Sequence, residues 1–297
     1  MDKDDNGSVL LFGHGSHPVL GTLFQQLTAR GKRRVVFISL ESFPQDVHLT
    51  YHQVQGKLEG RIGLLEEEPI EFSDLVSVVL DDYQIVSPAE GLTPEDYEYR
   101  NTESWAGLKG LFQCLAGQTL VANNLPEKEH FDSRLGEIAL LDSYGLPVPE
   151  LMVTNEPERA KLFCRKHAKV VYRPVQGKHM PFRKFESQDL DRLEEIRLSP
   201  VHFEEEPQGR LAACVKVGDQ LFLNPRELEL PDQLRERFLQ LCSEQKLHLA
   251  EIRLFQTDAE SEWKVLGLSP FLTSAGTEDP EALDAALRML ESGDTDI

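Results

Sequence analysis

Gly13-His-Gly-Ser-His-Pro18 is the first stretch of the 297-residue chain whose residue types and spacing could do chemistry. Two imidazoles three residues apart can share a metal ion, but a protein site needs further donors and no third ligand stands nearby. Ser16 lies between His14 and His17 without the second glycine of a G-x-S-x-G nucleophile elbow, so a serine-hydrolase reading has little to stand on. The four cysteines, Cys114, Cys164, Cys214 and Cys242, are far apart and show no C-x-x-C pair. That spacing argues against a zinc site and against a disulfide framework. They are expected to be small buried apolar residues in a reducing cytoplasm.

These residues must be positioned by elements that the hydrophobic pattern outlines. Residues 9–12 form an apolar run after which His14 and His17 fall, a place where open α/β sheets often bind ligands. An amphipathic run over 20–29 ends at Gly31, and 35–38 reads as the next strand, so strand, helix and strand imply a right-handed parallel crossover. Residues 47–65 carry spaced glycines among alternating apolar positions, as a pair of short antiparallel strands would. A strand is expected at 75–80, a long helix at 97–115 with Trp105, Leu108, Leu111 and Phe112 in the core, and a short strand at 119–122. Beyond Pro126, Asp132 or Ser133 can cap a helix that stops at Gly145. Strands at 151–154 and 169–172 flank a helix that ends near His167. The last third reads as strands at 211–217 and 220–223, a helix at 231–245, strands at 249–255 and 263–268, and a final helix at 280–290.

The formal net charge is −20, with 40% hydrophobic and 28% charged residues. So acidic a surface repels phosphate backbones and anionic lipids, which argues against nucleic-acid and membrane-surface roles. It suits a basic peptide or protein partner, or simply solvates the surface. No apolar run approaches the ~18 residues of a membrane span. The acidic start, MDKDDNGS, is unlike a secretory signal, so a cytoplasmic protein is expected.

Several strings together carry a resemblance: Val121-Ala-Asn-Asn, Asp132-Ser-Arg-Leu, Gly145-Leu-Pro-Val-Pro-Glu-Leu-Met-Val-Thr-Asn-Glu-Pro157, and Val170-Val-Tyr-Arg-Pro-Val-Gln-Gly177. In order and spacing this set resembles the ATP-grasp superfamily, within it the ligases that modify ribosomal peptides (graspetide synthetases) and the RimK-type glutamate ligases. The resemblance covers nearly the whole chain. It implies an α/β protein, α+β toward its C-terminus, with an N-terminal pre-ATP-grasp domain over 1–125. An ATP-grasp lid subdomain over 126–205 and a C-terminal subdomain over 206–297 would follow.

ATP-grasp ligases phosphorylate a carboxylate with ATP and let an amine or hydroxyl attack the acyl phosphate. Such chemistry needs cations on the phosphates, carboxylates on one or two Mg²⁺ ions, and a donor for the charge that develops. The resemblance places Arg134 and Arg173 where the family usually has nucleotide-contacting lysines, and arginine can fork onto phosphate oxygens. It places Glu251 at one magnesium-binding position. The next strand departs from the pattern, because Gly267 and Ser269 stand where a glutamate and an asparagine are expected. Ala213 stands where an arginine aimed at the phosphates is usual, and Arg210 or Lys216 would have to reach round. Asp81 and Asp82 replace a basic pair, and the glycine-rich cover after Gly177 is thin.

Four departures in one direction lead to an expected degenerate ATP-grasp protein, a binding or partner module that sits beside an active ligase or holds a peptide. The alternative is a working ATP-dependent carboxylate–amine or carboxylate–hydroxyl ligase acting on a peptide or protein. It would use Arg134, Arg173 and Glu251, with ATP and magnesium as cofactors and further metal ligands from residues such as Asp219, Glu204 or Glu205. A small-molecule-binding α/β protein is the third reading.

Overall fold

The computed structural model describes residues 7–80, 91–122, 133–175, 182–206, 209–257 and 262–295. The expectations for Asp81, Asp82, Asp132, the cover after Gly177 and the boundary at 125/126 lie outside them. The chain opens with β1 (Ser8–Gly13), α1 (Pro18–Arg30) and β2 (Arg34–Ser39). His17 caps α1 by accepting the Leu20 N–H, and Gly31 ends it at φ 63°, a left-handed conformation that costs glycine nothing. β3 (Val47–Val54), β4 (Lys57–Leu64) and β5 (Ile70–Glu71) make a small antiparallel sheet. At Gly60, φ is 152° and an added Cβ would lie 2.1 Å from the Thr50 carbonyl oxygen, so the pairing of β3 with β4 requires a glycine there.

β6 (Leu75–Leu80), α2 (Pro94–Leu115) and β7 (Leu120–Ala122) complete a four-stranded parallel sheet in the order β2-β1-β6-β7. Both faces are covered, as parallel sheets require. Leu10, Phe12, Ile38 and Val78 pack on Leu108, Leu111 and Phe112 of α2. Val9, Leu11 and Val79 pack on Leu20, Leu23 and Leu27 of α1.

The middle of the chain holds α3 (Arg134–Ser143), β8 (Leu151–Thr154), α4 (Pro157–Lys166), β9 (Val170–Pro174), β10 (Arg183–Lys184), a 3-10 helix at Ser187–Leu198, and β11 (Val201–Glu205). Its antiparallel sheet runs β10-β9-β11-β8. Phe163, Leu193, Ile196 and Phe203 fill the space between that sheet, α4 and the 3-10 helix.

β12 (Gly209–Val217), β13 (Gln220–Asn224), α5 (Asp232–Glu244), β14 (Leu249–Thr257), β15 (Trp263–Ser269), α6 (Ser274–Glu278) and α7 (Pro280–Ser292) follow. The last sheet is antiparallel, in the order β13-β12-β14-β15. One face, through Cys214, Ile252 and Leu254, meets Phe238 and Leu241 of α5. Val215, Val217 and Leu249 on the other face join α1 and α7 in a core shared with the first sheet.

The outlined elements are present within a few residues of their expected ends. β11 and the 3-10 helix before it are additions. The cysteine expectation holds for Cys214 and Cys242, which are buried, whereas Cys164 is half-buried and Cys114 exposed. Cys114 lies between core-facing Leu111 and Leu115, on the side of α2 that meets solvent. Among the described residues no helix is long and apolar enough to cross a membrane.

Candidate functional site

Strand alternation puts Glu251 and Arg253 of β14 on one face of the last sheet. Across the ladders, Arg253 is flanked by Ala213 and Gly267, and Glu251 by Val215 and Ser269. Two small residues beside Arg253 leave a hollow in the sheet surface, and its guanidinium leans toward one of them. A Cβ built on Gly267 would lie 3.7 Å from Arg253 Nη2.

α3 fills the rest of the hollow. Ser133 caps the helix by accepting the Gly136 N–H, which sets Arg134 and Glu137 in its first turn, on one side. Glu137 Oε1 accepts the Leu268 N–H at 2.5 Å, and Arg134 Nη1 lies 3.1 Å from Glu137 Oε2. The same hypothetical Cβ on Gly267 would meet Glu137 Oε1 at 3.1 Å. The carboxylate missing from position 267 is thus present in space, supplied by a helix rather than by the strand.

Arg134 is 4% exposed and reaches the second antiparallel sheet as well. Its Nε and Nη2 donate to Glu204 Oε2 and Oε1 at 3.2 and 2.6 Å, a fork-on-fork pair. His202 Nε2 lies 3.1 Å from Glu204 Oε2. Burial works against the charge on each partner, but the pairing wins. Desolvation pushes Glu204 up, and hydrogen bonds from His202 and Arg134 outweigh it and hold the carboxyl below its ordinary value. Desolvation lowers Arg134, and Glu204 with Glu137 raises it above the usual arginine value.

Arg173 stands opposite His202 in the β9–β11 ladder. Its guanidinium carbon is 4.3 Å from the centre of the Phe182 ring, a cation–π contact. Burial first, then the charges of Arg134 and Arg253, pull Arg173 down, while Glu204 and Glu137 oppose them. Two buried guanidinium groups and two buried carboxylates therefore share one cluster between the two sheets, with the exposed Arg253 beside it.

Glu251 is 1% exposed and points to the other end of this face. Its Oε1 accepts the Thr273 hydroxyl at 2.6 Å, and its Oε2 accepts the Thr273 N–H at 3.2 Å. The carboxylate thus fastens the turn into α6. The remaining candidates are dispersed. Lys216 points away and donates to the Gly218 and Leu247 carbonyls. Arg210 pairs with Glu227 and Glu205 with Lys264, and Asp219 lies exposed in the β12–β13 turn. Among the described residues no three His, Cys, Asp or Glu side chains converge as a metal site would require.

The histidines after β1 serve different tasks. His17 is the α1 cap, while His14 Nδ1 meets Glu41 Oε1 at 3.1 Å. Partial burial pushes Glu41 up, but hydrogen bonds from Ser39, His14 and the Glu41 and Gly15 amides pull it down to about 2.

Arg134, Arg173 and Glu204 are candidates from the sequence; Glu137, His202 and Arg253 join the site only in the structure. The i,i+3 spacing of Arg134 and Glu137 and the Glu-x-Arg alternation at 251–253 were available signals.

No protein-family model matches the chain, and no curated protein matches it. Solved structures do. The macrocyclase MdnC of Microcystis aeruginosa MRC, solved with precursor peptide MdnA, is similar with a TM-score of 0.78 at 18% identity, over 95% of this chain and 99% of that one. A RiPP-associated ATP-grasp ligase of Chryseobacterium gregarium, in complex with ADP and a leader and core peptide, gives 0.76 at 16% identity over 96% of each chain. A RimK-domain ATP-grasp protein of Sphaerobacter thermophilus DSM 20745 gives 0.59 at 16% identity, over 95% and 97%. The chain has the α/β ATP-grasp fold. In architecture it is similar to peptide-modifying ligases of that fold along almost its whole length.

Proposed function

We propose that this chain is an ATP-grasp protein whose ligase chemistry is lost, and which works by binding a peptide or protein. One observation carries the reading: the Glu137 carboxylate lies against Gly267, held by the Leu268 amide and Arg134, while Arg134 is itself forked onto Glu204. An arginine whose donors are consumed by two carboxylates has little left for a phosphate. The donor set does not fit magnesium either. Glu137 is committed to Arg134, and both oxygens of Glu251 accept from Thr273. A hard divalent cation needs carboxylate oxygens that face it. A peptide partner draws support from the precursor-peptide complexes of the similar structures and from the charge of −20, which favours basic segments.

One observation favours the alternative, an active ATP-dependent carboxylate–amine or carboxylate–hydroxyl ligase. Arg253 presents an exposed guanidinium directly across the ladder from Ala213, one strand away from where the resemblance expects a cation. Calorimetric titration with ATP and with ADP, each with and without magnesium, separates the readings. The proposal expects no affinity that tightens with magnesium and no ADP release when a peptide is added. Micromolar binding that tightens with magnesium, with ADP release, would overturn it in favour of the ligase.

A further inference from the structure

On the face of the last sheet opposite Arg253 and Glu251, a cavity of about 330 Å³ opens beneath the outer strand β13. Its walls are Leu221 and Leu223 of β13, Leu228 and Leu230 of the segment leading to α5, and Cys214 of β12. The void has a sequence origin. α5 covers the sheet through Leu234, Phe238 and Leu241, but its first turn carries Asp232 and Arg235, which stay exposed and leave the β13 end of the sheet face uncovered. The volume is at the lower end of small-ligand pockets, and the lining mixes apolar side chains with charged ones.

The mouth holds both signs of charge. Glu229 and Asp232 lie on the rim with Arg235. Asp232 and Arg235 are three residues apart on one helix, a spacing that puts them on one side of it. Burial pushes the Cys214 thiol up to about 12, and the Arg235 charge opposes that rise. An open cleft walled by four leucines and Cys214, with two carboxylates and one guanidinium also lining it, is complementary to a molecule with an apolar body, an ammonium and a carboxylate.

We propose that this cavity binds a free apolar α-amino acid. The aliphatic or aromatic side chain occupies the leucine-lined chamber, Asp232 and Glu229 receive the ammonium, and Arg235 forks onto the carboxylate. This site is independent of the ATP-grasp cleft, and binding at one is measured without reference to the other.

The test uses the full chain with methyl-labelled leucines. L-leucine and L-phenylalanine are titrated beside 4-methylpentanoate, which lacks the ammonium, and isoamylamine, which lacks the carboxylate. Millimolar or tighter binding of the amino acids is expected, with the methyl signals of Leu221, Leu223, Leu228 and Leu230 moving together. Either truncated analogue should bind about tenfold more weakly, the loss of one charge-assisted hydrogen bond. Arg235→Gln should weaken L-leucine about tenfold and leave isoamylamine unchanged. Asp232→Asn should weaken L-leucine and leave 4-methylpentanoate unchanged. Leu223→Trp should fill the chamber and abolish binding. Arg235→Gln changes an exposed side chain, so it carries the test if Leu223→Trp does not fold. No methyl shift at millimolar amino acid overturns the proposal, as does equal affinity for L-leucine and isoamylamine.

Discussion

Glu137 illustrates how one buried carboxylate can define a site. It neutralises part of Arg134, satisfies the Leu268 amide, and occupies room that Gly267 leaves open. Removing it as Glu137→Ala would leave Arg134 partly uncompensated and a buried amide without its acceptor. Breaking a buried pair in this way costs roughly 3–5 kcal/mol, and urea unfolding should show a lower midpoint whose shift, multiplied by the denaturant slope m, amounts to that free energy. Gly267→Ala is expected to act on the same contact from the other side. Its methyl group would stand 3.1 Å from Glu137 Oε1, closer than carbon and oxygen sit comfortably. The cost should be about 1–3 kcal/mol, the usual penalty of overpacking. If Gly267→Ala unfolds at the same urea concentration as the parent, Glu137 is not held against the strand.

At the scale of elements, α7 bridges the first and last sheets, with Ala282, Ala286 and Leu290 buried in their shared core. Its start depends on Asp279, which accepts the Glu281 and Ala282 N–H groups and also meets Arg226. Asp279→Ala should cost about 1–2 kcal/mol as a lost cap, read as a lower thermal midpoint with the fold retained by circular dichroism. Elements of this kind were legible in the sequence because their apolar periodicity was clean and their ends were marked, as at Gly31, Ser133 and the prolines that open α1, α4 and α7. β11 was not. In Val-His-Phe-Glu-Glu the inward positions on one face are His202 and Glu204, which read as polar and solvated. They are buried because Arg134 arrives from α3, and a distant partner leaves no trace in local periodicity. The candidate site was hidden for the same reason. The absence of a carboxylate at Gly267 could be read from the string, but its replacement from another element could not.

For the molecule as a whole, the ion-pair cluster implies a direction of pH dependence. The folded-state pKa of Glu204 is depressed, so between its folded and unfolded values the unfolded chain binds more protons. The stabilisation is therefore fully present at neutral pH, and is lost as pH falls below the unfolded value of ~4.3 and through the folded one. Glu41, held at about 2, adds to the slope in the same acidic window. Unfolding free energy measured from pH 7 downward should decline more gently in Glu204→Gln than in the parent, from a lower starting value. Parallel curves would mean that Glu204 titrates alike in both states. The link between Glu137 and Leu268 also bears on how this chain can meet others. β15 is an outer strand, and such strands offer free amides to any extended segment that comes alongside. Here Leu268 donates to Glu137 and Val265 to the Pro147 carbonyl, so those amides are already occupied. A peptide that bound this sheet by lengthening it would find these two positions of the β15 margin already closed.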